Sequence, residues 1–341
     1  MQKATIKDNF QIVKHLTWSR FWNLIALRFS FLLSRLLKKP VVFGRPFALN
    51  IEPTTACNLG CPECPSGLKI FTRKTGKIDL EKHSKWIQGL KKSVFYVNYY
   101  FQGEPFLHPQ FLDLIRAAKK NKIYTSTSTN AHFIDEEKAK EIIESGLDRL
   151  IISLDGTTQE TYESYRINGS IETVKEATRI IVETKKKVKS QTPHLIFQFL
   201  VVAPNEHQIE EAKALAEELG VDEIRFKTAQ VYSFENGNPL IPQNEKYARY
   251  VKNSDGTYRF KFKVKNKCWR MWSSAVLTWN GKVVPCSFDK DAQYQMGDIN
   301  EADFKAIWKS EKYTDFRAQI LKNRSEMEMC KNCSEGATVY T

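Results

Sequence analysis

The sequence contains no uninterrupted apolar run of about twenty residues, the length a bilayer-spanning helix needs. Its most apolar stretch, residues 21–37, is broken by Arg28. Cysteine is scarce: seven in 341 residues, an odd number, which excludes a small disulfide-stapled scaffold. Internal repeats and low-complexity tracts are missing. Acidic residues are almost absent from the first 45 positions, where Asp8 stands against nine Lys and Arg. That segment holds most of the formal net charge of +13. The body of the chain is close to neutral and gives no electrostatic reason to expect nucleic acid. With 42% hydrophobic and 12% aromatic residues the chain is not mostly disordered, and its length suggests about two domains.

Residues 1–45 form a first segment. Between Phe21 and Leu37 the helical period gathers Trp22, Ile25, Phe29, Leu32, Leu33 and Leu36 on one face. Asn23, Ser30, Ser34, Arg35 and Lys38 lie opposite, with Leu24, Leu27 and Phe31 intruding among them. Pro40 is a helix stop. The stretch lacks the small-residue cleavage site of a signal peptide. Two readings follow. The helix packs on its own domain or a second subunit, or residues 20–39 lie on an anionic membrane surface.

From residue 46 a rhythm sets in. Apolar, β-rich runs at 47–52, 94–101, 123–128, 149–154, 195–202 and 223–231 alternate with helical patterns at 79–92, 110–121, 135–146, 171–187 and 206–219. Such alternation predicts parallel strands joined by right-handed crossovers. The expected fold class is α/β: a partial (β/α)6 TIM-like barrel over 46–232, its site at the carboxyl ends of the strands. Residues 233–267 read as a connector with a short hairpin. Residues 268–341 read as a small α+β extension, with a hairpin over Val276–Val284 turning at Asn280-Gly281 and helices near 302–309 and 313–322.

The cysteines divide into two groups. Cys57, Cys61 and Cys64 follow the first strand as C-x3-C-x2-C. Three thiolates on one loop suit three irons of a cubane and leave the fourth iron open to a small molecule. A structural zinc would want a fourth protein ligand. Cys268, Cys286, Cys330 and Cys333 form a closed set of four, for which zinc and iron–sulfur are both admissible on chemistry alone.

With these motifs the chain resembles the radical SAM (S-adenosylmethionine) superfamily. The resemblance implies two [4Fe–4S] clusters, one held by Cys57, Cys61 and Cys64 and chelating SAM at its open iron. Reductive cleavage of SAM would then yield a 5′-deoxyadenosyl radical that takes hydrogen from a substrate. Gln102, Gly103 and Glu104 resemble the Gly-Gly-Glu motif that holds the SAM ammonium, Gln102 standing for its first glycine. Ser128 and Asn130 end the third strand, Ser153 and Asp155 the fourth, and Arg166 follows; in relatives such positions hold the ribose hydroxyls and the SAM carboxylate. Gln198 on the fifth strand faces either the ligand or the outer surface. Glu63 occupies a position usually aromatic in the family. The four C-terminal cysteines, with Cys-Trp-Arg at 268–270, Gly-Asp-Ile-Asn at 297–300 and Ala-Ile-Trp at 306–308, resemble the SPASM and twitch extensions, which implies a fully ligated auxiliary [4Fe–4S] cluster.

The expected reaction is a two-electron dehydrogenation of a small metabolite, sugar-like or lipid-linked substrate by a radical SAM oxidoreductase, the auxiliary cluster accepting an electron. The alternatives are a peptide- or protein-modifying maturase and, in another class, a non-catalytic iron–sulfur scaffold. Lys227 and Arg270 are candidates for the general base, each with a structural role as its alternative. A low-potential donor such as flavodoxin or ferredoxin is the expected partner, and thiolate-ligated clusters imply the cytoplasm, with a peripheral position at the membrane's inner face left open.

Overall fold

The structure, a computed structural model, describes residues 2–335. Residues 1 and 336–341, the outer ends of the expected first and last segments, lie outside the described residues.

Two helices come first, α1 (Gln2–Lys14) and α2 (Trp18–Leu37). Six strands follow: β1 (Ala48–Ile51), β2 (Tyr96–Asn98), β3 (Tyr124–Thr129), β4 (Arg149–Ser153), β5 (His194–Val201) and β6 (Glu223–Thr228). They pair in parallel in sequence order, as the alternation predicts. Between them run α3 (Pro65–Leu68), α4 (Leu80–Leu90), α5 (Phe111–Lys120), α6 (Glu136–Glu144), α7 (Gln159–Tyr165), α8 (Ile171–Lys187) and α9 (Ile209–Leu219). Asp79, Asp135, Thr158 and Ser170 cap α4, α6, α7 and α8 by accepting a backbone N–H with their side chains. Gly220 ends α9 in the left-handed region. Helix α7 carries no marked apolar period and was not expected.

The side-chain alternation of the strands separates two faces. Leu150 and Ile152, Phe197 and Phe199, and Ile224 and Phe226 belong to the main core shared with the helices. Ser126, Ser128, Ser153, Gln198, Arg225 and Lys227 alternate with them and so occupy the other face, the inside of the half-barrel. This places Gln198 inward, in register with Ser153 and Arg225.

The C-terminal extension is continuous with the barrel. The connector holds an isolated hairpin, β7 (Tyr250–Lys252) and β8 (Tyr258–Phe260). Helix α10 (Arg270–Ser273) leads into β9 (Ser274–Leu277), which pairs in parallel with β1. Strand β10 (Lys282–Val284) returns antiparallel after Asn280-Gly281, and β11 (Gly297–Asp298) completes a nine-stranded sheet. The hairpin of the expected α+β extension thus continues the barrel sheet at its β1 edge. Helices α11 (Phe304–Trp308), α12 (Glu311–Asn323) and α13 (Glu328–Lys331) follow. The Arg317 guanidinium lies 4.2 Å from the ring of Trp308 and 4.1 Å from that of Tyr313 and donates to the Met271 carbonyl at 3.0 Å.

Helices α1 and α2 close the end of the barrel where the strands begin. Asp8 of α1 accepts from Arg149 and Tyr124, at the starts of β4 and β3. Buried Arg20 of α2 donates to the carbonyls of Lys91, Asn121 and Lys122, just ahead of β2 and β3. Helix α2 spans the region expected. It sits on its own domain, but by the face that carries Asn23, Leu27, Ser30, Phe31 and Ser34.

Candidate active site

The C-x3-C-x2-C loop leaves the carboxyl end of β1. Leu59 anchors it in a small apolar cluster with Tyr165, Val202 and Ala229, at the strand ends of the barrel. The Gly60 N–H bonds the Ile167 carbonyl at 3.0 Å. Cys64 precedes α3, with Pro65 at its first position, and its carbonyl accepts from Leu68 N–H at 2.9 Å. None of the seven cysteines is in a disulfide. Burial pushes Cys57 up to about 11, and Cys61 is raised by burial against the opposing pull of Arg166.

Residues 101–105 open the crossover that follows β2 and lie beside this loop, the Glu104 N–H bonding the Ala56 carbonyl at 2.7 Å. Gly103 has φ of +76°, and a Cβ there would lie 2.2 Å from the Thr54 carbonyl oxygen, so no other residue fits without moving backbone. The buried Gln102 side chain, where the motif usually has glycine, turns to the cluster loop: its Oε1 lies 3.5 Å from Ser66 Oγ and 3.9 Å from Cys64 Sγ. Glu104 is buried, with Oε1 accepting from Thr129 Oγ1 at 2.8 Å and Oε2 from Asn130 N–H at 2.8 Å. Among the described residues no salt bridge reaches it. Burial pushes its pKa up to about 7, against those hydrogen bonds. A buried carboxylate held in place but short of a cation fits an ammonium ligand.

Asp155, fully buried, accepts from Arg166 Nε at 2.5 Å and from Leu200 N–H at 2.7 Å. Arg166 Nη1 reaches Cys61 Sγ at 3.6 Å. Burial disfavours the Arg166 charge, but Asp155 and Cys61 outweigh it and raise its pKa. Asn130 Nδ2 donates to Asn58 Oδ1 of the cluster loop at 2.7 Å. The motif residues that the resemblance singles out thus meet at one end of the barrel, with Ser128, Ser153 and Gln198 on its inner face. Lys227 lies on that face too, its pKa lowered by burial and then by Arg225 and Arg270. Arg270 lies beside the second cysteine group, paired with Glu335 at 2.7 Å, and its charge bears on Lys227 from there.

Cys268, Cys286, Cys330 and Cys333 line one cavity together with Arg270 and Arg324. Buried Arg324 donates to Cys333 Sγ at 3.1 Å and to the Lys267 carbonyl at 2.8 Å. Burial pushes Cys268 and Cys286 up to about 12. Four buried thiols flanked by two guanidinium groups fit a ligated, net-negative iron–sulfur cluster.

Between the two cysteine groups lies a surface cleft of about 440 Å³. Pro65 and Ile70 come from the first loop, Tyr232 and Phe234 from beyond β6, and Phe288 and Met329 from beside the second group. Phe288 and Met329 also line the four-cysteine cavity. Lys290 also lines the cleft: its Nζ donates to the Glu63 carbonyl at 3.2 Å and lies 4.5 Å from the Tyr232 ring. The Glu63 carboxylate in turn accepts from Tyr232 N–H at 3.0 Å. Sequence reasoning noted Glu63 only as a departure from the family pattern and missed Lys290, Tyr232 and Arg324. No spacing marks them; the closeness of Lys290 to Cys286 in sequence was the one signal available.

The family described as "Radical SAM superfamily" matches residues 51–219, and SPASM, an iron–sulfur cluster-binding domain, matches residues 268–334. The chain is 27% identical over 314 residues to the tungsten-containing aldehyde ferredoxin oxidoreductase cofactor-modifying protein of Pyrococcus furiosus, covering 84% of this chain and 86% of that one. It is 26% identical over 202 residues to the PqqA peptide cyclase of Gluconobacter oxydans, 59% of this chain and 54% of the cyclase, about half its length. Among solved structures, Streptococcus suis SuiB bound to S-adenosylmethionine superposes with a TM-score of 0.62 at 15% identity, over 81% of this chain and 68% of SuiB.

Proposed function

We propose, on the premise that this chain belongs to the radical SAM superfamily and carries a SPASM domain, that it is a maturase: an enzyme that modifies a peptide or a protein-borne group at an unactivated C–H bond. This displaces dehydrogenation of a small metabolite as the first reading. The relatives named above act, by their names, on a peptide and on a cofactor.

When bound, SAM and the two clusters would supply one-electron cleavage of the sulfonium and one-electron transfer. The chain's own residues do the positioning. Cys57, Cys61 and Cys64 would hold the first cluster and Cys268, Cys286, Cys330 and Cys333 the second. Glu104 would face the SAM ammonium. Arg166, fixed by Asp155, would meet the SAM carboxylate, and Ser128, Asn130, Ser153 and Gln198 the remaining polar groups. Lys290, Tyr232 and Phe288 would orient the substrate. A low-potential donor such as flavodoxin or ferredoxin belongs to the same proposal.

The observation that carries the reading is the cleft. It runs along the surface from the first cysteine loop to the second group, and half-exposed Tyr232 and exposed Ile70 line it. A side chain or cofactor presented by a larger molecule can enter such a groove from outside, whereas small-molecule sites bury most of their ligand. The test is anaerobic turnover of the reconstituted enzyme with host extract divided by dialysis. The retained macromolecular fraction should raise 5′-deoxyadenosine formation above the uncoupled rate. Stimulation confined to the dialysable fraction would return the reading to a small metabolite.

A further inference from the structure

The N-terminal helices turn their apolar residues away from the protein. On α2, Trp18, Trp22, Ile25, Phe29, Leu32 and Leu36 recur at helical spacing and are between 41 and 78% exposed. On α1, Ile6, Phe10 and Val13 are at least 59% exposed. The inward face of α2 is the one with the hydroxyls and the amide. Ser30 Oγ accepts from Phe43 N–H at 2.9 Å, Ser34 Oγ from Val41 N–H at 2.8 Å, and Asn23 Oδ1 from Arg45 N–H at 2.9 Å. These bonds hold the 41–45 segment against the helix and fix its rotation, so the outward stripe is built into the fold. A stripe of this size, left bare on one element, marks an interaction surface.

The charge around the stripe selects its partner. Lys7, Lys14, Arg28, Arg35, Lys38 and Lys39 are exposed, while Asp8, the one acidic residue of the first 45, is buried on Arg149. At the end of α2 a cleft of about 700 Å³ is lined by Arg35, Lys38, Lys265, Lys267 and Lys322 and by no acid. A second copy docked stripe to stripe would set these cations against each other. An anionic lipid surface would take the apolar stripe into its acyl boundary and the cations at its headgroups. No helix among the described residues is long and apolar enough to cross a membrane, so the contact is in-plane, along a helix about 30 Å long.

We propose that α1, α2 and the basic cleft beside them form a docking face for an anionic membrane surface. The face covers the barrel end where the strands begin, with the second cysteine group beside its basic cleft, since Cys268 follows Lys267; the first cysteine loop follows the carboxyl end of β1, at the other end. Docking therefore leaves the first cysteine loop open, and it recruits the enzyme rather than presenting lipid to the first cluster.

Removing the helices would also unseat Arg20 and Asp8, so the test uses substitutions on exposed positions of the full-length holoenzyme. Binding is measured by co-sedimentation with vesicles of phosphatidylcholine alone and of phosphatidylcholine with phosphatidylglycerol. The wild-type enzyme should partition onto the anionic vesicles and release at high salt. Trp22→Glu/Phe29→Glu/Leu32→Glu should lower that partition at least tenfold, and Lys38→Glu/Lys322→Glu should erase the preference for phosphatidylglycerol. Basal SAM cleavage should be unchanged in both. Three results would overturn the proposal: no vesicle binding by the wild type, binding unaltered by both sets of substitutions, or a lipid-free dimer in sedimentation velocity that the triple variant dissolves.

Discussion

Glu104→Gln is the sharpest probe of the SAM side of the site. In the chain as it stands the Glu104 carboxyl has a pKa of about 7, because burial outweighs the hydrogen bonds from Asn130, Thr129 and Phe106. Its ordinary value is 4.5. A raised carboxyl is protonated in the fold and ionised in the unfolded chain over that interval, so it costs stability as the pH rises from the lower value through the upper. At about 1.4 kcal/mol per pH unit the cost above neutrality is about 3 kcal/mol. Glutamine keeps one acceptor for Thr129 but turns its amide to the Asn130 N–H, a loss of about 1 kcal/mol. E104Q without SAM should therefore be about 2 kcal/mol more stable than wild type at about pH 8, and no more stable at about pH 5. SAM binding should behave oppositely. A cation that needs the ionised carboxylate binds wild type roughly tenfold more tightly at about pH 7.5 than at about pH 6; in E104Q binding should be weaker and lose this part of the pH dependence. Urea denaturation and anaerobic titration calorimetry read the two effects. Equal pH slopes for SAM binding in the two proteins would refute the assignment of Glu104, and a destabilised variant at about pH 8 would refute the burial argument.

Other expectations follow from the same geometry. Gly103→Ala should cut SAM cleavage by at least tenfold, because the added Cβ meets the Thr54 carbonyl; near wild-type turnover would contradict this. Asp155→Asn should loosen Arg166 and raise the KM for SAM more than it lowers kcat, read by initial-rate assays, since Asp155 acts through Arg166. Burial drives His83 down to about 3. The unfolded chain therefore binds the proton first, and His83 should cost the fold about 2 kcal/mol on going from about pH 7 to about pH 5. His83→Gln should lack this acid-side loss in urea denaturation.

The six strands and their crossovers were legible because a half-barrel strand is apolar on its helix side and the helices between are amphipathic at their own period. The candidate site was legible where chemistry sits at fixed spacing in one segment, as in the motifs at Cys57–Cys64 and Gln102–Glu104, which the fold brings side by side. Three things were not. The union of β9 with β1 joins residues more than two hundred positions apart, which no local pattern encodes. Lys290 and Arg324 act through tertiary proximity to the cysteines. The rotation of α2 was misleading in sequence: amphipathic period identifies an apolar face but not which way it points, and here the serines, Asn23, Leu27 and Phe31 turn inward because the 41–45 segment needs their hydrogen bonds and Trp269 and Trp272 need the Phe31 ring.

The central claim is that seven cysteines build two clusters with different duties, one open to SAM and one closed. The direct test is iron content and SAM cleavage after anaerobic reconstitution, in wild type and in Cys57→Ala/Cys61→Ala/Cys64→Ala. Wild type should hold about eight irons per chain and release methionine and 5′-deoxyadenosine when reduced; the triple variant should keep about four irons and release neither. About four irons in the wild type, or cleavage surviving in the triple variant, would contradict the account.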